Sequence, residues 1–192
     1  MEETILYFVR HAKAPFSLEN YHQRSLSPEG GHAAKKLVEL FDSIPVDVFV
    51  SSSSPRAVET IKPIALAKNK LIETHDEFRE LLLRGPETII EEDKIEAEIE
   101  KVFAGQNYKL PGGESATEVL ARGLPIFQEI LRQHGGKTIV LGTHGIIMTL
   151  LMRNFDSSIG FDFWKRIAKP DVYRAVFFEV KLKEFIRLTR DQ

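Results

Sequence analysis

Two arginines and two histidines stand at the ends of strand-like runs. Arg10 and His11 follow Thr4–Val9 (TILYFV) directly. Arg56 follows Val46–Val50 (VDVFV) across the serine-rich turn Ser51–Ser54, and Thr143 and His144 close Thr138–Leu141 (TIVL). In open α/β sheets, functional groups gather at the carboxyl ends of strands, so all four are predicted on one rim. Side chains of this kind repel one another unless an anion sits among them. A guanidinium matches phosphate oxygens in bidentate fashion and keeps its charge. A neutral imidazole can attack phosphorus, and cationic neighbours keep it neutral. A helix beginning near Arg56 adds its positive N-terminal end. The chemistry is that of a phosphoryl group met by a histidine nucleophile.

The elements that must hold these groups alternate between strand and helix patterns, which predicts α/β architecture with a largely parallel sheet. Thr4–Val9 is a buried central strand. Ser27 is an N-cap with Pro28 at the first helical position, and Ala34, Leu37, Val38 and Phe41 repeat behind it at helical spacing. Val46–Val50 is the second strand, a helix covers about 56–68, and Leu71–Thr74 is a third strand. The segment 86–104 is acidic and carries Ile95, Ile99, Val102 and Phe103 on one face, as a helix that is a solvated lid or insert. Gly112–Ser115 starts a long helix that Pro125 is expected to kink. Thr138–Leu141 is another buried strand, followed by a short helix. Tyr173–Val180 and Glu184–Leu188 form a terminal hairpin or edge pair.

Composition bounds the partners. The 192 residues carry 26 Lys+Arg against 28 Asp+Glu, a net charge of −2, with 43% hydrophobic residues. That is ample material for one globular domain and excludes a disordered chain. The charge balance argues against nucleic acid as a partner, though a local basic pocket is compatible with it. The absence of cysteine excludes disulfides, a thiol nucleophile and thiolate metal sites. No His pair at i, i+4 spacing stands near a carboxylate, so no metal site is indicated. The acidic start Met1-Glu2-Glu3 and the short apolar run Ile5–Val9 predict neither a signal segment nor a membrane span, hence a cytoplasmic protein.

Five segments, in order from residue 5 to 146, resemble the motifs of the histidine phosphatase (phosphoglycerate mutase-like) superfamily. They are Leu6-Tyr7-Phe8-Val9-Arg10-His11-Ala12, Ser51–Thr60 with Arg56, Phe78-Arg79-Glu80 with Gly85, Pro111-Gly112-Gly113-Glu114-Ser115 with Arg122, and Val140–Gly145 with His144. The resemblance implies a single domain over 1–192, a three-layer α/β/α fold whose mostly parallel central sheet has helices on both faces, with a helical insert at about 86–110. It implies a phosphomonoester hydrolase that needs no metal or other cofactor and acts on a small phosphorylated metabolite. His11 is then the nucleophile, and Arg10, Arg56 and His144 bind the phosphoryl oxygens. Glu80 protonates the leaving oxygen, with Glu77 and Glu114 as nearby rivals for that role.

The sequence departs from the family pattern in places. Ala12 replaces glycine after the histidine, and Ser17 stands where many members carry asparagine. Gly85-Pro86-Glu87 lacks the usual tryptophan, and no basic Arg-Arg segment follows Glu80. These differences concern the substrate side. Ser17, Lys13, His22 and Arg24 are candidates for reading the substrate. Yet His22, like His32, His75 and His134, has no motif of its own and fits a surface or structural role. Arg122 is expected to pair with Glu114 or Glu118, and Trp164 with Phe161 and Phe163 to pack. A phosphoglycerate-type mutase and a phosphate-binding regulatory module are the competing functions. The oligomeric state stays open between monomer and homodimer.

Overall fold

The computed structural model describes residues 3–15 and 21–188. Its centre is a six-stranded sheet in the order β3-β2-β4-β1-β5-β6. The strands are β1 (Glu3–Arg10), β2 (Val48–Ser52), β3 (Ile72–His75), β4 (Thr138–Thr143), β5 (Asp171–Phe178) and β6 (Lys181–Arg187). β3, β2, β4 and β1 run parallel, and β5 and β6 add an antiparallel hairpin on the β1 side. The helices are α1 (Pro28–Leu40), α2 (Pro55–Ala67), α3 (Ile95–Ala104), α4 (Ala116–Gln133), α5 (Gly145–Arg153) and α6 (Phe161–Arg166).

Alternation along the strands sorts the core into two layers. Tyr7, Val9, Phe49 and Val140 face α1 and α2, meeting Leu37, Phe41, Ile61 and Ile64. Leu6, Phe8, Ile139 and Leu141 face the other way, onto Val119, Phe127 and Leu131 of α4 and the apolar side chains of α5. The three-layer expectation holds. α5 is buried from Gly145 to Met152, as an almost wholly apolar helix must be. Among the described residues no helix is long and apolar enough to cross a membrane.

Local chemistry starts the helices. Ser27 accepts a hydrogen bond from the Gly30 amide, with Pro28 in the first turn. Ser115 and Glu118 form a reciprocal capping box at the head of α4. That helix continues through Pro125. β2 lies two residues later than its apolar run suggested, because Val46 turns into the core before the ladder begins. The largest difference is at 86–104. Only Ile95–Ala104 is α-helix, preceded by turns and a short 3-10 segment, Glu92–Lys94. Pro86, the β-branched pair Ile89-Ile90 and three successive acids oppose an earlier start. Nor does this helix stand off as a lid. Ile99, Val102 and Phe103 enter the core, and Arg153, at the end of α5 remote from His144, donates to the Phe103 carbonyl at 2.6 Å.

Two adjacent glycines in α1 carry opposite expectations. A Cβ on Gly30 would lie 2.0 Å from the Lys13 carbonyl oxygen, whereas one on Gly31 meets nothing within 4 Å. Gly30→Ala should cost about 1–3 kcal/mol by forcing the backbone apart. Gly31→Ala should gain about 0.5–1 kcal/mol by restricting the unfolded chain. Urea unfolding midpoints of the two variants check both signs.

Candidate active site

The sheet order assembles the site. β4 lies between β2 and β1, so the residues leaving all three strands meet at one edge. The His11 amide extends the ladder to the Thr143 carbonyl at 2.9 Å. This sets the His11 and His144 rings 5.2 Å apart, edge to face. From β2, the Ser52 hydroxyl reaches His144 Nε2 at 2.8 Å. Both histidines are buried.

His11 Nδ1 lies 2.7 Å from the Ala12 carbonyl oxygen. A carbonyl only accepts, so Nδ1 carries the proton and Nε2 is left bare. Burial first, then the charges of Arg56 and Arg10, hold this imidazole well below its ordinary pKa of 6.5. His144 is lowered in the same way, by burial and then by Arg56 and His11. Its Nδ1 is buried without a partner among the described residues.

Arg10 is 8% exposed, and Arg56 is fully buried. Each is held at one end of its guanidinium. Arg10 Nη1 donates to the Ile167 carbonyl and, at 3.4 Å, to that of Ala168. Arg56 Nη1 donates to the Tyr21 carbonyl at 2.7 Å, and its guanidinium carbon lies 5.3 Å from the centre of the Tyr21 ring. Arg10 Nε and Arg56 Nε and Nη2 are buried donors with no partner among the described residues. Buried polar groups are nearly always satisfied, so these donors, with His144 Nδ1, describe a receptor for a multivalent oxygen anion. The close fit extends to Gly145, where a Cβ would come within 3.0 Å of Arg10 Nη2.

Glu80 faces this group from the loop after β3. Its Oε1 accepts from the amides of Leu81 and Ile147, and Oε2 from that of Ile146, all at 3.0 Å. The carboxyl therefore sits on the first turn of α5, which His144 caps. Glu114 cannot play the same part. It is locked between Arg79 and Arg122 and the Leu82 amide; burial, the largest single effect, pushes its pKa up, but the hydrogen bonds from Arg122 and the Leu82 amide and the charges of Arg122 and Arg79 together bring it below the usual value. Glu77 is exposed. Arg122 pairs with Glu114 and not with Glu118, and it also donates to the carbonyls of Glu77 and Arg79, so it fixes the loop that carries Glu80.

The rim residues divide. Lys13 pairs with Glu29 at 2.7 Å on the outside of the molecule. Arg24 donates to the Tyr21 and Pro15 carbonyls and lies 4.7 Å over the Tyr21 ring. His22 stands near the pocket, its pKa lowered by burial and then by Arg56, with a buried Nδ1. Ser17 lies outside the described residues. Four residues escape the motif argument. Thr60 accepts from the Ala12 amide at 2.9 Å and donates to the Arg56 carbonyl at 2.7 Å, tying the two motifs together. Ser52 positions His144. Asp171, fully buried, accepts from the Ala168 amide and so fixes the carbonyls that hold Arg10. Lys169 lies two residues before it, and its charge acts on His11 as those of Arg10, Arg24 and Arg56 act on it. The threonine and serine are in quoted motifs and could have been found by asking what steadies the catalytic side chains. Asp171 and Lys169 carry no sequence signal. Among the described residues no three His, Asp or Glu side chains come together as metal ligands.

The histidine phosphatase superfamily (branch 1) matches this chain over residues 6–177. The chain belongs to that superfamily. Phosphoserine phosphatase 1 of Hydrogenobacter thermophilus is 25% identical over 194 residues, covering 95% of this chain and 90% of the relative. YhfR of Bacillus stearothermophilus shares the fold with a TM-score of 0.75 at 23% identity over 94% of both chains. A mycobacterial glucosyl-3-phosphoglycerate phosphatase does so with a TM-score of 0.74 at 17% identity over 97% of both chains. Phosphatase chemistry follows from the membership. Within the histidine phosphatase pattern, Ala12 replaces glycine without strain. It is fully buried, and among the described residues only Asn69 and Glu179 combine a side chain with positive φ.

Because both buried imidazoles have folded-state pKa values below 6.5, the unfolded chain binds more protons under mildly acid conditions. Stability should therefore fall as pH drops below about 6.5, by about 1.4 kcal/mol per pH unit for each ring that stays neutral. Inorganic phosphate should raise the melting temperature, with a gain of about 2.7 kcal/mol at a hundredfold excess over its dissociation constant. Arg56→Ala should abolish that gain. Thermal melts from pH 7 to 5.5, with and without phosphate, check all three outcomes.

Proposed function

We propose that the protein hydrolyses a small phosphorylated metabolite through a phosphohistidine intermediate. The observation that carries this reading is the bare Nε2 of a buried, neutral His11 beside donors suited to phosphate oxygens. The relatives named as phosphoserine phosphatase and glucosyl-3-phosphoglycerate phosphatase support a small metabolite as substrate.

In the proposed reaction Arg10, Arg56 and His144 hold the phosphoryl oxygens. The Nε2 lone pair of His11 forms a bond to phosphorus as the ester P–O bond breaks. The departing oxygen takes a proton from Glu80. A carboxyl has about four lone-pair positions, and three backbone amides occupy three of Glu80's, leaving one on Oε2 as the seat of that proton. Water then attacks the phosphohistidine and gives a proton back to Glu80. The P–N bond breaks, its electron pair returns to Nε2, and inorganic phosphate leaves. The arginine charges oppose the negative charge that builds on phosphorus, which is the role a cation plays elsewhere.

Hydrolysis of para-nitrophenyl phosphate with a chelator present tests this reading. Wild type should turn over and form an acid-labile phosphoenzyme, and His11→Ala should do neither. Chelator-sensitive turnover, or turnover that survives in His11→Ala, overturns it. Glu80→Gln should lose about 100-fold or more on an alkyl phosphate, whose leaving oxygen needs a proton. It should lose far less on para-nitrophenyl phosphate. Equal losses on the two would remove Glu80 from the acid role.

A further inference from the structure

The cations around the pocket are not all accounted for by one phosphate. Lys13 is matched by Glu29, and Arg79 by Asp76 and Glu114. Arg24 leans on the Tyr21 ring and on backbone carbonyls. Lys169 differs. Among the described residues its amine makes no ion pair or hydrogen bond. The chain around it is firmly placed, since Ala168 donates to Asp171 at 2.9 Å and its carbonyl accepts from Arg10 at 3.4 Å. Lys169 is exposed as a residue, so its side chain is accessible from solvent.

Its neighbours place it at the site. The charges that act on the amine are those of Arg10, Arg24, Glu80 and Arg56, and the amine in turn acts on His11. Partial burial, followed by Arg10 and Arg24, draws its pKa down to about 8. A lysine is a compact point charge on a flexible stem, suited to a single oxygen anion at short range. A phosphomonoester dianion matches the two charges of Arg10 and Arg56 and leaves that of Lys169 unmatched.

We propose that Lys169 binds a second anionic group on the substrate, a carboxylate close to the phosphoester, and so selects phosphorylated carboxylic acids over uncarboxylated esters. The inference rests on the phosphatase reading above and refines it. Lys169 acts here as a specificity-determining residue and takes no part in the bond changes at phosphorus.

The experiment compares kcat/KM within two pairs that differ by a carboxylate: O-phosphoserine against O-phosphoethanolamine, and 3-phosphoglycerate against glycerol 3-phosphate. Wild type should prefer the carboxylated member of each pair by about tenfold or more, as expected for a hydrogen bond between charged groups. Lys169→Ala and Lys169→Gln should reduce that ratio to within about twofold, mainly through KM, while Lys169→Arg keeps most of it. A wild-type ratio near one overturns the proposal. So does an equal loss on both members in the variants, which would show that Lys169 only supports the loop behind Arg10. Hydrolysis of para-nitrophenyl phosphate without the preference sinks this inference alone. Hydrolysis of none of the esters sinks the phosphatase reading with it.

Discussion

Two guanidinium groups buried beside two imidazoles lose hydration and, among the described residues, form no ion pair. Each arginine spends one nitrogen on backbone carbonyls and leaves others directed at the same region. Desolvation is the largest force on every one of these groups, and it lowers the pKa of Arg10, His11, Arg56 and His144 alike. Burying charge costs several kcal/mol per ion unless it is paired. The fold must therefore supply stability elsewhere, in its two apolar layers, to keep the receptor formed. The same burial and charge keep His11 neutral, and a phosphate dianion in the proposed role would remove the imbalance.

The surrounding hydrogen bonds answer that constraint. A cluster that repels itself has to be clamped from outside. Thr60 links the Ala12 amide to the Arg56 carbonyl. Arg122 and Glu114 hold the loop of Glu80. Asp171 holds Ala168, which with Ile167 holds Arg10. The α5 helix does two jobs at its first turn, receiving the Glu80 carboxylate on its amides and carrying His144 as its cap. Glu80 and His144, the proposed acid and the proposed phosphate-binding imidazole, are thus both anchored to one buried helix whose side chains are core.

Much of this was legible in the sequence, for identifiable reasons. Buried parallel strands are short apolar runs, so β1 and β4 were visible. The polar residues just past the carboxyl ends of such strands gather on one rim, which is why Arg10, His11 and His144 were expected to meet. The capping pairs at Ser27 and Ser115 mark helix starts by local hydrogen bonding alone. The failures have two causes, one local and one long-range. In the segment 86–104 the apolar spacing was right for the last ten residues, but the backbone preferences of its first half opposed a helix. Lys169 and Asp171 belong to the site only because β5 pairs antiparallel with β1, bringing Asp171 opposite Arg10. No local pattern encodes a partnership across that distance. Lys13 shows the converse, since its place after β1 suggested the pocket and its pairing with Glu29 takes it outward.

The clamp on Arg10 joins residues 157 positions apart, and Asp171, which steadies it, is itself bonded to Arg187 of β6. During synthesis the chain emerges from its N-terminus, so Arg10 and His11 are exposed long before the groups that hold Arg10 exist. An emerging chain that already had His11 would still lack an ordered Arg10 beside it. Competence arrives with the final hairpin, and long-range pairings of this kind are slow to close. The proposed phosphate receptor is thereby coupled to completion of the fold.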